Sequence, residues 1–296
     1  KIETELTDIM DVLEESKMID TKEIKEKLKE EIFELKKKNI VPGLAIILVG
    51  NDPASEIYVR NKIKTCEELS ILVELYRFDE NNEEEEIILK IKELNNDPRF
   101  DGILVQSPLP KKFHEDKIVS YVTLEKDVDG FGIYNLGSLL SSEEYILAAT
   151  PLGILKMLEH EHVSVLGKHV VMVGSSKIVG RPMAIALLNR GATVTIANSK
   201  TQHLKEITKQ ADILIVAIGH ANYITEEYVK DGVVVIDVGI NRIDGKVVGD
   251  VDWESVSKKA SYITPVPGGV GPMTIAMLLN NIVVQAKRRD LNGFKN

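Results

Sequence analysis

Tyr58 and Lys62 stand four residues apart in the stretch from Gly50 to Lys62, so on a helix they project from one face. The apolar run 44–49 (LAIILV) reads as a strand ending at Gly50. Asn51 or Asp52 can then cap a helix, with Pro53 in its first turn. An aromatic ring beside an amine, just past the carboxyl end of a strand, is where open α/β sheets place their chemistry. The alternative for any such pair is a solvated lysine beside a half-buried tyrosine. Gln106 ends a second short strand, 102–106 (GILVQ), and the prolines of Ser107-Pro108-Leu109-Pro110 force the chain to turn there. Another polar turn follows at 126–131 (KDVDGF).

The second half carries a different signal. Gly174 to Gly180 follows the strand 168–173 (KHVVMV) and opens a helix begun by Pro182, the context that a dinucleotide-binding turn requires. Its spacing is not G-x-G-x-x-G, and no Gly-Lys-Ser/Thr closes it, so it is not a P-loop. A tight ligand-free connection is the alternative. An NAD-preferring site usually carries an acid about 20 residues on, at the ribose 2′-hydroxyl. Here the next strand ends in Asn198-Ser199-Lys200-Thr201. A hydroxyl and an ammonium suit an anionic 2′-phosphate, so the reading leans to NADP; a plain surface role for Lys200 stays open.

The elements that must position these residues alternate strand and helix through 44–131, with a further strand at 71–78 (ILVELYRF) and a helix opened by Glu83–Glu86 and stopped at 95–98 (NNDP). A helix at 20–38, capped by Asp20 or Thr21, precedes them, and residues 1–17 have the spacing of a short amphipathic helix. The pattern changes near 148–151 (AATP), with a helix at 152–160 beyond it. The strands 193–197, 212–217 and 233–238 are near-continuous apolar runs, expected where helices cover both sheet faces. A glycine-rich loop (265–271, PVPGGVG) leads to a last helix from Pro272 to about Arg288. The expected fold is therefore α/β with two α/β domains. Residues 1–150 plus helix 275–296 form the first, and 151–274 form a Rossmann-like parallel sheet, the C-terminal helix returning to the first domain.

Composition sets outer limits. The 296 residues suit two cores, and a net charge of −9 argues against a general binder of nucleic-acid backbones. Cys66 is the sole cysteine, so no intrachain disulfide forms and a reducing compartment fits. The six histidines lack metal-ligand spacing, and no metal is expected. No apolar run approaches 18 residues and no signal-peptide core is evident. The expectation is a cytoplasmic protein with no membrane or nucleic-acid partner.

Five stretches together resemble one family: ASEIYVRNKIKTC at 54–66, GILVQSPLP at 102–110, KDVDGF at 126–131, VGSSKIVGRP at 173–182 and ITPVPGGVGPMT at 263–274. In this order they are similar to the bifunctional methylenetetrahydrofolate dehydrogenase/methenyltetrahydrofolate cyclohydrolases. The resemblance runs from about Met18 to the C-terminal helix and leaves 1–17 outside.

What the resemblance implies is an oxidoreductase and hydrolase of one-carbon metabolism that feeds purine biosynthesis. It would oxidise 5,10-methylene-tetrahydrofolate to the 5,10-methenyl form with NADP and hydrolyse that to 10-formyl-tetrahydrofolate. Lys62 would be the catalytic lysine, Tyr58 the surface against the folate, Gln106 the partner that positions Lys62, and Asp129 the carboxylate that holds the pterin. Ser55, Pro267 and Gly268 would also meet substrate, with helix capping as the alternative for Ser55. Gly174, Ser175, Ser176, Ile178, Ser199, Lys200, Ile240, Gly271 and Thr274 would line the dinucleotide. Ser175 stands where many members carry an arginine for the 2′-phosphate, so NAD stays open beside NADP. Ala149 replaces a cysteine common in the linker motif. A homodimer is also implied. Whether Lys62 works as a base or stays charged and polarises water is left open by the residues. Two other readings are a dehydrogenase of similar two-domain build on another small substrate, and a non-catalytic dinucleotide-binding regulator.

Overall fold

A computed structural model describes residues 21–293; the amphipathic helix expected at 1–17 and the cap candidate Asp20 lie outside the described residues. Contacts divide the chain into two compact units, Thr21–Ala149 together with the chain from Ile275, and Thr150–Thr274.

The first unit begins with α1 (Thr21–Lys37), whose Leu28, Ile32 and Leu35 recur at helical spacing and are all buried. Next come β1 (Gly43–Val49), α2 (Pro53–Glu68), β2 (Leu72–Phe78), α3 (Glu84–Asn95), β3 (Gly102–Val105), α4 (Glu115–Val119) and α5 (Ile133–Leu140). The three strands form one parallel sheet in the order β2-β1-β3. β1 is central and buried at every position, which explains its unbroken apolar run. Ala45, Ile47 and Val49 point to one face and pack with Ile103, Val105 and the buried side of α3 (Ile87, Ile88, Ile91, Leu94). α3 opens with a capping box between Glu83 and Glu86, a more specific use of its acids than the helix dipole alone.

Parallel order sends every strand's carboxyl end to the same edge. α2 departs from that edge after Gly50, and the β3 ladder carries one bond past the strand, from the Gln106 N–H to the Ile47 carbonyl at 2.9 Å.

The second unit contains α6 (Ala149–His160), β4 (His169–Val173), α7 (Gly180–Leu188), β5 (Thr193–Ala197), α8 (Leu204–Thr208), β6 (Ile213–Val216), β7 (Val234–Asp237), β8 (Asn241–Ile243), β9 (Lys246–Val248), α9 (Trp253–Val256) and β10 (Tyr262–Ile263). Five strands make a parallel sheet in the order β10-β7-β6-β4-β5. The apolar run 193–197 does not mark a strand covered on both faces. β5 is the sheet edge, its Thr193 exposed and Ile196 43% exposed, because it has β4 on one side alone. β8 and β9 form an antiparallel hairpin that the sequence reading passed over; three-residue strands are too short to show a period.

α10 (Val270–Gly293) starts two residues before Pro272 and runs five beyond Arg288. From Ile275 onward it belongs to the first unit, where Asn281 donates to the Val128 and Leu147 carbonyls, each at 3.0 Å. Likewise α7 begins at Gly180, ahead of Pro182.

Candidate active site

Asp52 adopts extended backbone and its Oδ2 accepts from the Ser55 N–H at 2.8 Å, with Pro53 in the first turn of α2. Asp52 is thus the cap, and Ser55 is not. Ser55 is buried and its hydroxyl has no protein partner. A buried hydroxyl without a hydrogen bond is costly, so this atom is where a bound molecule would gain most.

One turn along α2, Tyr58 leaves 44% of its surface exposed. One turn further, Lys62 reaches β3: its Nζ donates to Gln106 Oε1 at 2.9 Å. The Gln106 Nε2 donates to the Ser107 carbonyl at 2.7 Å, which fixes the acceptor end of the amide toward Lys62. Burial pushes the Lys62 ammonium below the ordinary lysine range, while the charge of Asp129 works against that shift. Asp129 is itself pushed up to about 7, first by burial and then by Asp127 and Glu115, with Lys62 opposing.

The turn that carries Asp129 is built by a residue the sequence reading did not single out. Asp127 accepts from the Gly130 N–H at 3.0 Å, the Gly132 N–H at 2.8 Å and Asn135 Nδ2 at 2.7 Å. Asn281 holds the same turn from α10 through the Val128 carbonyl. The available signal was a carboxamide inside an otherwise apolar helical stripe, Met277, Leu278, Ile282 and Val283, all buried.

Pro267 and Gly268 lie in the loop of the second unit that precedes α10. In that unit Gly174 follows β4 with φ +122°, and a Cβ there would sit 2.2 Å from the Ala217 carbonyl oxygen. A Cβ at Gly180 would meet the Gly174 carbonyl oxygen at the same distance. Both glycines are required by close packing of the turn between strand and helix. Ser176 Oγ accepts from the N–H groups of Val179 (3.1 Å) and Gly180 (3.3 Å), while Ser175 is half-buried and Ile178 exposed. Ser199 and Lys200 are exposed beyond β5, in a turn closed by Asn198 Oδ1 on the Lys200 N–H at 2.9 Å. Ile240 is 54% exposed, and a Cβ on Gly271 would meet only Ile240 Cδ1 at 4.0 Å, so open space lies beside it. The Thr274 hydroxyl is engaged with Thr150 and the Val270 carbonyl, each at 3.1 Å. A glycine-bracketed turn between β4 and α7, with exposed hydroxyls and open space near Gly271, fits a dinucleotide.

Among the described residues no group of His, Cys, Asp or Glu could hold a metal ion, and no helix is long and apolar enough to cross a membrane.

Two family models match the chain: the catalytic domain of tetrahydrofolate dehydrogenase/cyclohydrolase over residues 17–129 and its NAD(P)-binding domain over 148–290. A "Bifunctional protein FolD" of Halalkalibacterium halodurans is 53% identical over 263 residues, 89% of this chain and 94% of the relative. The crystal structure of a bifunctional methylenetetrahydrofolate dehydrogenase/cyclohydrolase from Campylobacter jejuni superposes with a TM-score of 0.90 at 52% identity, covering 91% of this chain and 96% of that one. A Trypanosoma brucei dehydrogenase-cyclohydrolase, solved with NADP cofactor and inhibitor, gives 0.86 at 34% identity, covering 91% and 95%. With identity at this level over nearly the whole length, the chain belongs to the tetrahydrofolate dehydrogenase/cyclohydrolase family.

Proposed function

We propose that the protein oxidises 5,10-methylene-tetrahydrofolate to 5,10-methenyl-tetrahydrofolate with NADP and hydrolyses the product to 10-formyl-tetrahydrofolate. The first unit holds the folate and the second the dinucleotide. The observation that carries the reading is the Lys62 amine, drawn out of water and held at 2.9 Å by Gln106.

Asp129 accepts the adjacent N–H donors of the pterin's aminopyrimidine edge in bidentate fashion. The exposed ring of Tyr58 covers the folate, and the unpartnered Ser55 hydroxyl gains a partner from it. NADP, when bound, supplies the hydride acceptor. The C–H bond at the methylene carbon breaks with its electron pair leaving on hydrogen, and the remaining positive charge spreads over N5 and N10. This step needs no base. A neutral Lys62 beside that carbon does not repel the cation, and burial favours the neutral form.

Hydrolysis then needs a base. Lys62 donates one N–H to Gln106 and keeps its lone pair for a water molecule. As the water oxygen bonds to the methenyl carbon, Lys62 takes its proton. The C–N5 bond breaks, N5 gains one proton and the other passes to solvent. Gly174, Ser175, Ser176, Ile178, Ser199, Lys200, Ile240, Gly271 and Thr274 line the dinucleotide, and Pro267 and Gly268 meet the folate. The family resemblance further supports a cytoplasmic homodimer that supplies purine biosynthesis.

The test is to mix the protein with 5,10-methylene-tetrahydrofolate and either NADP or NAD. NADPH should form, and the methenyl product should appear and then disappear. No reduction of either nucleotide overturns the reading; reduction of NAD alone overturns the cofactor assignment.

A further inference from the structure

Between β3 and α4 the chain is fastened by a side chain that takes no part in the chemistry above. Glu115, the first residue of α4, accepts with both carboxylate oxygens: Oε1 from the Ser107 hydroxyl, and Oε2 from the Leu109 N–H at 3.2 Å. Ser107 is also the residue whose carbonyl accepts from Gln106 Nε2 at 2.7 Å. A primary amide has one donor end and one acceptor end. With Nε2 committed to Ser107, Oε1 must face Lys62. If the Ser107 carbonyl moves away, the amide can turn over and present Lys62 with an N–H donor, which an ammonium cannot accept and which would occupy the lone pair that a neutral amine needs for water.

We propose that Glu115 is a positioning residue for the Lys62–Gln106 pair, clamping the Ser107–Leu109 segment whose carbonyl decides which end of the Gln106 amide meets the lysine. This rests on the hydrolytic reading above and deepens it. Glu115 acts on the lysine only through Ser107 and Gln106. Its charge adds a second effect. With Asp127 of the same turn it pushes Asp129 up, and Lys62 of α2 pulls the other way. The competing role is a helix-terminal acid that merely supports α4, a helix of five residues.

The variants Glu115→Ala, Glu115→Gln and Ser107→Ala are made in the full chain, and hydride transfer and methenyl hydrolysis are assayed separately on the same preparations. Glu115→Ala removes both bonds and should lower kcat for hydrolysis at least about tenfold. Its kcat for hydride transfer and its affinity for NADP should stay near wild type. Glu115→Gln keeps a carbonyl acceptor at the same reach and should recover most of the hydrolysis. It removes the charge, so the acid limb of the folate KM should move to lower pH. Ser107→Ala should split the two activities in the same sense, and it decides the matter if Glu115→Ala does not fold. Parallel loss of both activities in step with Tm overturns the proposal, as does full hydrolysis in Glu115→Ala and Ser107→Ala. Wild-type protein lacking both activities would overturn the parent reading and this one together. Wild type with both, and variants that do not split them, would condemn the role of Glu115 alone.

Discussion

Lys62 Nζ and Gln106 Oε1 meet at 2.9 Å although 44 residues separate them. The contact exists because β1 and β3 are neighbours in a parallel sheet. Their carboxyl ends lie side by side, one launching the helix that carries the lysine and the other ending at the glutamine. Burial makes this amine give up its proton more readily than a solvated lysine, with the Asp129 carboxylate opposing.

Lys62→Ala should abolish hydrolysis of the methenyl compound, a loss of roughly 10²–10⁴-fold for removal of a general base. NADP binding should persist. Lys62→Arg separates base from polarising charge: arginine stays protonated, so hydrolysis should remain lost if Lys62 is the base. Recovery in Lys62→Arg, measured by decay of methenyl absorbance, would show that a fixed positive charge suffices.

The carboxyl of Asp129 titrates at about 7, and only its ionised form accepts two pterin donors. The KM for 5,10-methylene-tetrahydrofolate should therefore rise as pH falls through that value, while the KM for NADP does not. A flat folate KM between pH 6 and 8 would contradict the role.

The same shift has a sign for stability. In the folded chain Asp129 holds its proton to higher pH than a free aspartate near 3.9, so between these values the native state binds more protons than the unfolded one. Asp129 thus stabilises the fold least above about 7. Asp129→Asn should raise stability at pH 8 by on the order of 1 kcal/mol while weakening folate binding. Urea unfolding at pH 5 and pH 8 checks it, the gain being larger at pH 8.

Asn281 satisfies two buried carbonyls on segments more than a hundred residues away. Asn281→Ala leaves both unpaired and should cost about 2 kcal/mol. Differential scanning calorimetry should show the loss, and the folate KM should rise because the Asp129 turn loses its brace.

Gly174→Ala would drive a Cβ to 2.2 Å from the Ala217 carbonyl oxygen at a φ of +122°. The turn before α7 must then move, and NADP affinity should fall at least about tenfold, in line with the 1–3 kcal/mol that a forced backbone costs. Isothermal titration with NADP measures it; unchanged affinity would remove this turn from the dinucleotide site.

Local chemistry alone dictated much of this molecule. The run 44–49 reads as a strand ending at Gly50, and Asn51 or Asp52 ahead of Pro53 suits a helix start. That puts Tyr58 and Lys62 on one face before any tertiary contact is known. The glycines at 174 and 180 likewise marked a turn, and the folded chain shows that a Cβ at either would meet a carbonyl oxygen at 2.2 Å. What only the folded chain decided was which groups meet: that β5 is an edge with Ile196 in solvent, that Asp52 rather than Ser55 caps α2, and that Glu115, Asp127 and the distant Asn281 hold Gln106 and Asp129 in place. Periodicity reports which face of an element is dry, but not which elements share it. Buried polar groups must find their partners wherever the packed chain supplies them.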